Sequence, residues 1–455
     1  MIETDLIKFL PDLTEVENLF KEYGDIAVRH KFSDGGDRVV NTIIVNGKAY
    51  AFGAFIGNQD PVTRKRLIKR YAKLALFKAL TKVFGVVPEW GSLTGIRPTK
   101  LAYAELAKGR DFKDFFENTL MVSEQKTALT AEVISSQKGI YDTAMGGSDF
   151  FVFIPFCPSR CEYCSFISQD VRGAEKLSDL YTETLIREIN ESAKHVKRLR
   201  SIYVGGGTPV ALANGNLNKV LNSIDKINTG VEFTVEAGRP DAITRENLDI
   251  LKSHGVTRIS VNPQTFSNAT LKLIGRNHTS ADVLRAYELA RGKFSINMDL
   301  IAGLPSENFS VFSDTLEKTV ALNPDNITVH TLCVKKGSRL AEKTDNLSAG
   351  DVKKCVDYSH GYLNSAGYKA YYLYRQKYMA GNLENVGYAK SGTACVFNVD
   401  TMEEITNVVA CGANAISKRV ENSGEKIERY GSPKDVKTYL NKIDEILRKK
   451  EEFFA

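Results

Sequence analysis

The chain has no apolar run long enough to cross a bilayer, which excludes a helical membrane span. Its opening, MIETDLIKFLPDLTEVENLF, is acidic and has neither a basic stretch nor a cleavage site. That excludes a secretory signal of the usual kind and makes the cytoplasm the expected address. There is no repeat at solenoid period and no low-complexity tract. The six histidines are scattered. Seven cysteines in so long a chain are not a disulfide framework, which leaves reduced thiols, metal ligands or core cysteines. What remains is an ordinary globular composition, 43% hydrophobic and 25% charged, in 455 residues. That length predicts two or three domains with separate cores. The net charge of +6 mildly favours acidic partners such as anionic small molecules, phosphates or nucleic acid.

Residues 1–145 read as an α+β domain. Two strands, 38–45 and 48–56, meet at Asn46-Gly47, a strong hairpin signal. A helix over 64–83 follows, with Leu67, Tyr71, Leu74 and Phe77 at helical spacing and Gly85 as its stop. From 150 the pattern alternates. Short β-branched runs at 151–155, 201–204, 232–235, 258–261, 295–301 and 326–331 are separated by amphipathic helical stretches. Such alternation predicts parallel βα units. Six units within 146–335 predict a partial (β/α)6 barrel, since a closed eight-unit barrel needs more length. Residues 336–455 form a mixed extension ending in a charged helix over 435–450.

The sharpest feature is Cys157-Pro-Ser-Arg-Cys161-Glu-Tyr-Cys164, placed just after the first barrel strand. In parallel βα architectures the loops after strands carry the chemistry. A tight C-x3-C-x2-C loop can aim three sulfurs at one point, and thiolates are what iron–sulfur clusters and zinc select. Three cysteines complete neither a usual structural zinc site nor a cubane cluster. In a cubane they leave one iron free to bind something else. A zinc site with a distant fourth ligand, or merely buried thiols, are the alternatives.

With Tyr163 as its aromatic residue, this loop resembles the signature of the radical S-adenosylmethionine (SAM) superfamily. The resemblance implies a 4Fe–4S cluster held by Cys157, Cys161 and Cys164, with SAM on the open iron. It also implies one-electron cleavage of SAM to a 5'-deoxyadenosyl radical that abstracts a substrate hydrogen. Further segments resemble the coproporphyrinogen-oxidase branch. Gly205-Gly206-Gly207-Thr208-Pro209 ends the second strand, where glycine permits close backbone approach to a ligand. Glu236 ends the third, in VEAGRPD. Gln264 and Phe266 lie in SVNPQTF, Arg276 in LIGRNH and Asp299 in NMDLIAGLP. By the resemblance, Gly206, Gly207, Thr208, Glu236, Gln264, Arg276 and Asp299 match SAM-contacting positions. Tyr163 matches beside the cluster, and Phe151 stands where the family has a tyrosine near SAM. Carboxylates suit ribose hydroxyls or an ammonium group, and an arginine suits a carboxylate. Each residue alone is as readily a surface or capping group; their shared position at successive strand ends singles them out.

Across its full length, including LTGIRPTKLAYAEL at 93–106, the chain resembles the HemZ-type oxygen-independent coproporphyrinogen dehydrogenases. That implies oxidative decarboxylation of coproporphyrinogen III to protoporphyrinogen IX in haem biosynthesis. A tetrapyrrole substrate and an external electron donor and acceptor follow, and Arg97 and Lys100 are candidate contacts for its carboxylates. Two departures bear on this. The better-known oxidases have a fourth cysteine where this chain has Phe166. The related haem chaperones carry a His-Asn-x-x-Tyr-Trp motif, where this chain has Phe397-Asn398-Val-Asp-Thr401-Met402. The missing histidine and aromatics argue against a haem chaperone of that kind, and a haem-delivery protein that retains a SAM cluster is the second reading. A radical SAM enzyme acting on RNA or another tetrapyrrole is the third. The RNA reading rests on eight cations and no carboxylate over 64–83, without an RNA-binding motif. Cys333, Cys355, Cys395 and Cys411 are too widely spaced to suggest a second cluster. His278 and His330 fall near barrel strand or loop ends and are candidates to face the pocket.

Overall fold

The computed structural model describes residues 2–95, 97–143, 146–164, 169–333, 340, 349–376, 379–421, 424 and 426–455. The chain divides into two compact units, Met1–Ala131 with Arg375–Lys377, and Glu132–Tyr374 with Tyr378–Ala455. One boundary between them falls inside the helix Glu124–Ser136.

The first unit carries a four-stranded sheet, β1 (Ile2–Thr4), β2 (Val28–Asp34), β3 (Arg38–Val45) and β4 (Lys48–Phe55), in that spatial order. The expected hairpin is present. Asn46 and Gly47 have φ of 51° and 75°, the two positive values that a tight two-residue turn demands. Val39, Ile43 and Val45 alternate inward from β3 and pack against the helices α1 (Leu10–Asn18) and α2 (Pro61–Phe84). Helix α2 starts at Pro61, earlier than the hydrophobic pattern predicts. Asp60 caps it, accepting from the amides of Val62 and Thr63, and proline suits the first helical position. Gly85, at φ 71°, ends it.

The second unit holds six parallel strands: β5 (Ser148–Ile154), β6 (Leu199–Gly206), β7 (Glu232–Gly238), β8 (Arg258–Val261), β9 (Ser295–Ala302) and β10 (Asn326–Thr331). They pair in chain order, with helices α3 (Glu175–Ser192), α4 (Asn214–Asp225), α5 (Arg245–Ser253), α6 (Ser280–Ala290) and α7 (Phe309–Leu322) in the connections. This is the expected partial (β/α)6 barrel, and it does not close. The sheet continues at both edges through strands the sequence pattern did not resolve. Beyond β10 lie β12 (Asn385–Ala389) and β11 (Lys369–Tyr374), both in antiparallel pairings. Beyond β5 lie β13 (Asn407–Cys411), parallel to it, then β14 (Ile416–Glu421) and β15 (Lys426–Gly431). The mixed extension is thus part of the barrel sheet.

Alternation gives the sheet two faces. Phe150, Val152, Ile202, Val204, Phe233, Val235, Ile259, Ile296 and Met298 form one core with the helices. The opposite, inner face carries Phe151, Tyr203, Glu236, Asn297, Asp299, Thr328 and His330. A helix α8 (Val396–Glu403) lies against this inner face at the start of the strands. Its first amide donates to Glu232 (2.9 Å), and its Asp400 takes both forks of Arg200 (2.6 and 2.8 Å). The final helical stretch is two helices, α9 (Val436–Asn441) and α10 (Ile443–Phe454), rather than the single one expected; it breaks at Lys442, whose φ is −114°. Among the described residues no helix is long and apolar enough to cross a membrane.

Candidate functional site

The cysteine loop leaves β5 at Ile154 and is pinned from several directions. Phe156–Cys157 pairs in parallel with Gln169–Asp170. The amides of Gly207 and Thr208 donate to the carbonyls of Ile154 (2.8 Å) and Phe156 (2.7 Å). A Cβ on Gly207 would lie 2.5 Å from the Phe156 carbonyl oxygen and 3.0 Å from Cys157 Sγ, so a side chain there displaces the loop. The Thr208 hydroxyl points at Cys157 Sγ (3.6 Å). Cys161 is buried, Cys157 and Cys164 are half-buried, and none of the three is in a disulfide. Arg239 directs Nη1 at Cys161 Sγ (3.5 Å).

Among the described residues no three Cys, His, Asp or Glu side chains meet closely enough to hold one metal ion. A tetrahedral zinc needs its sulfurs at about 2.3 Å from a single centre. A polynuclear cluster spreads its thiolates over different irons. Three thiols flanked by a hydroxyl and a guanidinium are a donor set that fits a cluster. Phe166 lies outside the described residues.

The strand-end residues form a connected polar lining. Glu236 accepts from Tyr203 Oη (2.6 Å) and from the Gly206 amide (3.1 Å). Burial pushes its carboxyl up, against the pull of the Tyr203 hydrogen bond. A Cβ on Gly205 would come within 2.7 Å of the same carboxyl carbon. Asp299 accepts from Asn262 Nδ2 (2.8 Å) and Asn297 Nδ2 (2.7 Å), with His330 Nε2 3.7 Å away. Burial opposes its ionisation, but the polar and charge interactions of nearby His330, then Asn297 and Thr328, outweigh it and hold the carboxyl below its ordinary value. Arg276 is buried, donating to Tyr163 Oη (3.0 and 3.3 Å) and to the Asn262 carbonyl (2.8 Å). Asn262 thereby joins the cysteine loop to Asp299 and His330. Gln264 adopts φ 64°, its backbone bonded to β9, and its buried Oε1 has no hydrogen-bond partner among the described residues. A buried acceptor left open is a place for a ligand donor.

Other expectations land elsewhere. Phe151 stacks on Tyr203 (6.1 Å between centroids) and Phe397 (5.7 Å), so its ring belongs to an aromatic stack on the inner face. Phe266 is buried beside Thr315, which accepts its amide (3.1 Å). His278 does not open to a pocket: it is 2% exposed, and burial and Arg276 push it down to about 3, so it is neutral. His330 does face inward. Cys355, Cys395 and Cys411 are buried in separate surroundings. Arg97 and Lys100 belong to the first unit, at the start of the helix Pro98–Leu106. Three of the eight cations of α2 pair with carboxylates. Arg64 pairs with Asp34, Lys69 with Asp12 and Lys73 with Glu15, while Arg70 and Lys82 lie over Phe115 and Phe52. Three site residues escaped the sequence reading: Tyr203, Arg239 and Asn262. Tyr203 was readable, since it shares strand parity with Gly205; the other two stand inside quoted motifs but act across strands.

The Radical SAM superfamily matches residues 151–319. The oxygen-independent coproporphyrinogen-III oxidase-like protein HemZ of Bacillus subtilis (strain 168) is 35% identical over 395 residues, spanning 82% of this chain and 78% of that one. The chain belongs to the radical SAM superfamily, in its coproporphyrinogen-oxidase-like branch. As a radical SAM protein it uses a 4Fe–4S cluster and SAM. The heme chaperone HemW of Escherichia coli (strain K12) is also similar to this radical SAM protein, 28% identical over 58% of this chain and 68% of that one. The solved structure of the Escherichia coli coproporphyrinogen III oxidase HemN aligns with a TM-score of 0.55 at 23% identity, over 71% of this chain and 73% of that chain, a likeness of fold.

Proposed function

We propose that this radical SAM protein is an enzyme, an oxygen-independent coproporphyrinogen III dehydrogenase. The supporting observation is the span of the likeness. The HemZ match runs through 82% of the chain at 35% identity, whereas the HemW matches cover 41% to 64% of it. The inner face adds a second argument. Where the resemblance puts the chaperones' haem motif, Phe397 offers no ligand atom, and its ring stacks on Tyr203 at 4.3 Å.

Cys157, Cys161 and Cys164 would hold the cluster in this reading. The cofactors supply one-electron chemistry that removes a hydrogen atom from an unactivated carbon. Gly205, Gly206 and Gly207 keep the end of β6 bare so that a ligand can lie against backbone, with Thr208 beside Cys157. Glu236 and Asp299 face inward as acceptors for the ammonium group and ribose hydroxyls of SAM. Gln264 offers its unpaired carbonyl oxygen. Arg276 anchors Tyr163, and through it the cysteine loop, with guanidinium donors to spare for a carboxylate. On the substrate, a propionate loses a hydrogen atom from its β-carbon. Carbon dioxide then leaves with one electron passing to an external acceptor, and a vinyl group remains; this happens twice.

The test is anaerobic reconstitution followed by SAM, reductant, an electron acceptor and coproporphyrinogen III. Protoporphyrinogen IX is the expected product. SAM cleavage without it removes the substrate assignment. Stoichiometric haem binding without turnover supports the haem-delivery reading instead.

A further inference from the structure

We propose that Arg239 sets the reduction potential of the cluster through a charged hydrogen bond to Cys161. The inference rests on reading Cys161 as a cluster ligand. Arg239 follows the end of β7 and is 3% exposed. Its guanidinium cannot turn. Nε and Nη2 clasp Asp241 Oδ1 and Oδ2 at 2.9 and 2.8 Å. Nη2 also donates to Ser159 Oγ (3.1 Å), inside the cysteine loop, and Nη1 reaches the Ser159 carbonyl (3.4 Å) and Cys161 Sγ (3.5 Å). The planar fork thus spends one edge on its own carboxylate and directs the other into the loop.

The charges around Cys161 do not cancel. Arg239 and Arg276 are both buried and permanently positive. Asp241 is the carboxylate clasped by Arg239, and His278, 3.8 Å from Asp241, is neutral. One net positive charge remains in a low-dielectric pocket against a thiolate. Reducing the cluster adds a negative charge beside that guanidinium. The interaction is therefore stronger in the reduced state, and the potential rises. Such a donor eases the electron's entry from an external reductant. Asp241 moderates the effect and holds the donor in place, a positioning residue rather than a ligand.

The test uses the full chain, anaerobically reconstituted, with iron and sulfide counted per chain and the midpoint potential read by a titration followed by electron paramagnetic resonance. Arg239→Met is expected to hold its cluster at a lower potential than the parent, and Arg239→Lys, which keeps the charge without the fork, to recover most of the difference. A loaded Arg239→Met cluster at the parent potential overturns the proposal, as does a lysine variant as low as the methionine one. Asp241→Asn removes the compensating charge while Ser159 still holds Arg239, so its potential is expected to rise. If Arg239→Met does not load, an unchanged or lower potential in Asp241→Asn overturns the proposal by itself. Cys161→Ala separates this failure from the other: parent-level iron there would remove Cys161 as a ligand, whatever Arg239 does.

Discussion

Gly207 shows how little room the end of β6 leaves. An added methyl group would meet two carbonyl oxygens and the Cys157 sulfur, and none of these can yield without moving the loop. Overpacking of this kind costs ~1–3 kcal/mol, about five- to 150-fold in a binding constant. Gly207→Ala is accordingly expected to weaken SAM binding to the reconstituted protein by that factor, measured by equilibrium titration. Gly215→Ala is the control, since nothing lies within 4 Å of its Cβ; an equal loss there would show that the effect is not local. At this scale the sequence was most readable where partners are near in the chain. Three cysteines within eight residues and a glycine run declare themselves. Arg239 meets Cys161 only because β7 lies two places from β5 in the sheet, and no local pattern carries that.

The elements of the barrel were legible because each is a period-two or period-3.6 pattern that tertiary contacts do not override. The later strands were not, because their character comes from the neighbours they join. β13 becomes a strand of the barrel by pairing Asn407 with Ser148. Its arrival, together with α8, builds a buried acidic pair. Asp149 is fully buried, accepting from Ser201 Oγ and Thr406 Oγ1 (2.6 Å each), beside Asp400 and its partner Arg200. Burial, then the nearby Asp400 carboxylate, pushes Asp149 well above its ordinary value, and burial raises Asp400 as well. The folded chain therefore keeps a proton that the unfolded chain releases near the ordinary 3.8. Stability from this source is complete below that value. It falls as pH rises toward the folded value, at about 1.4 kcal/mol per pH unit for one proton. Asp149→Asn mimics the neutral carboxyl and removes the proton. Melting temperatures from pH 5 to 8 are expected to fall less steeply in the variant than in the parent; parallel curves would refute a shared proton.

The whole second unit is fastened by a contact that composition disguises. The helix α10 reads as a charged, solvated element, yet Lys450 is 1% exposed and pairs with the fully buried Glu188 at 2.7 Å. Tyr439 Oη and the Gly412 amide donate to the other carboxylate oxygen (2.6 and 2.7 Å). One bond system ties α3, β13 and α9–α10 together. Breaking a buried pair from one side leaves an uncompensated charge and costs ~3–5 kcal/mol. Lys450→Met is thus expected to lower the urea midpoint of the second unit markedly, while the double change Lys450→Met with Glu188→Leu recovers part of the loss. Equal midpoints for the single variant and the parent would show that the pair contributes nothing. The fold class, the six parallel strands and the cluster loop could all be anticipated from sequence. The extension of the sheet by later strands and this buried lysine could not, because both depend on residues far apart in the chain.

The pairing of β13 with β5 also has a cost in time. The first barrel strand is made early, but its neighbour on one side follows only after the other five barrel strands and α8. At ~5–20 residues per second of synthesis, that side stays unpaired for some tens of seconds on the ribosome. An uncovered strand edge is a template for pairing with other chains. For the nascent protein the hazardous interval is therefore the wait for β13, and the cysteine loop sits at the end of the strand that waits.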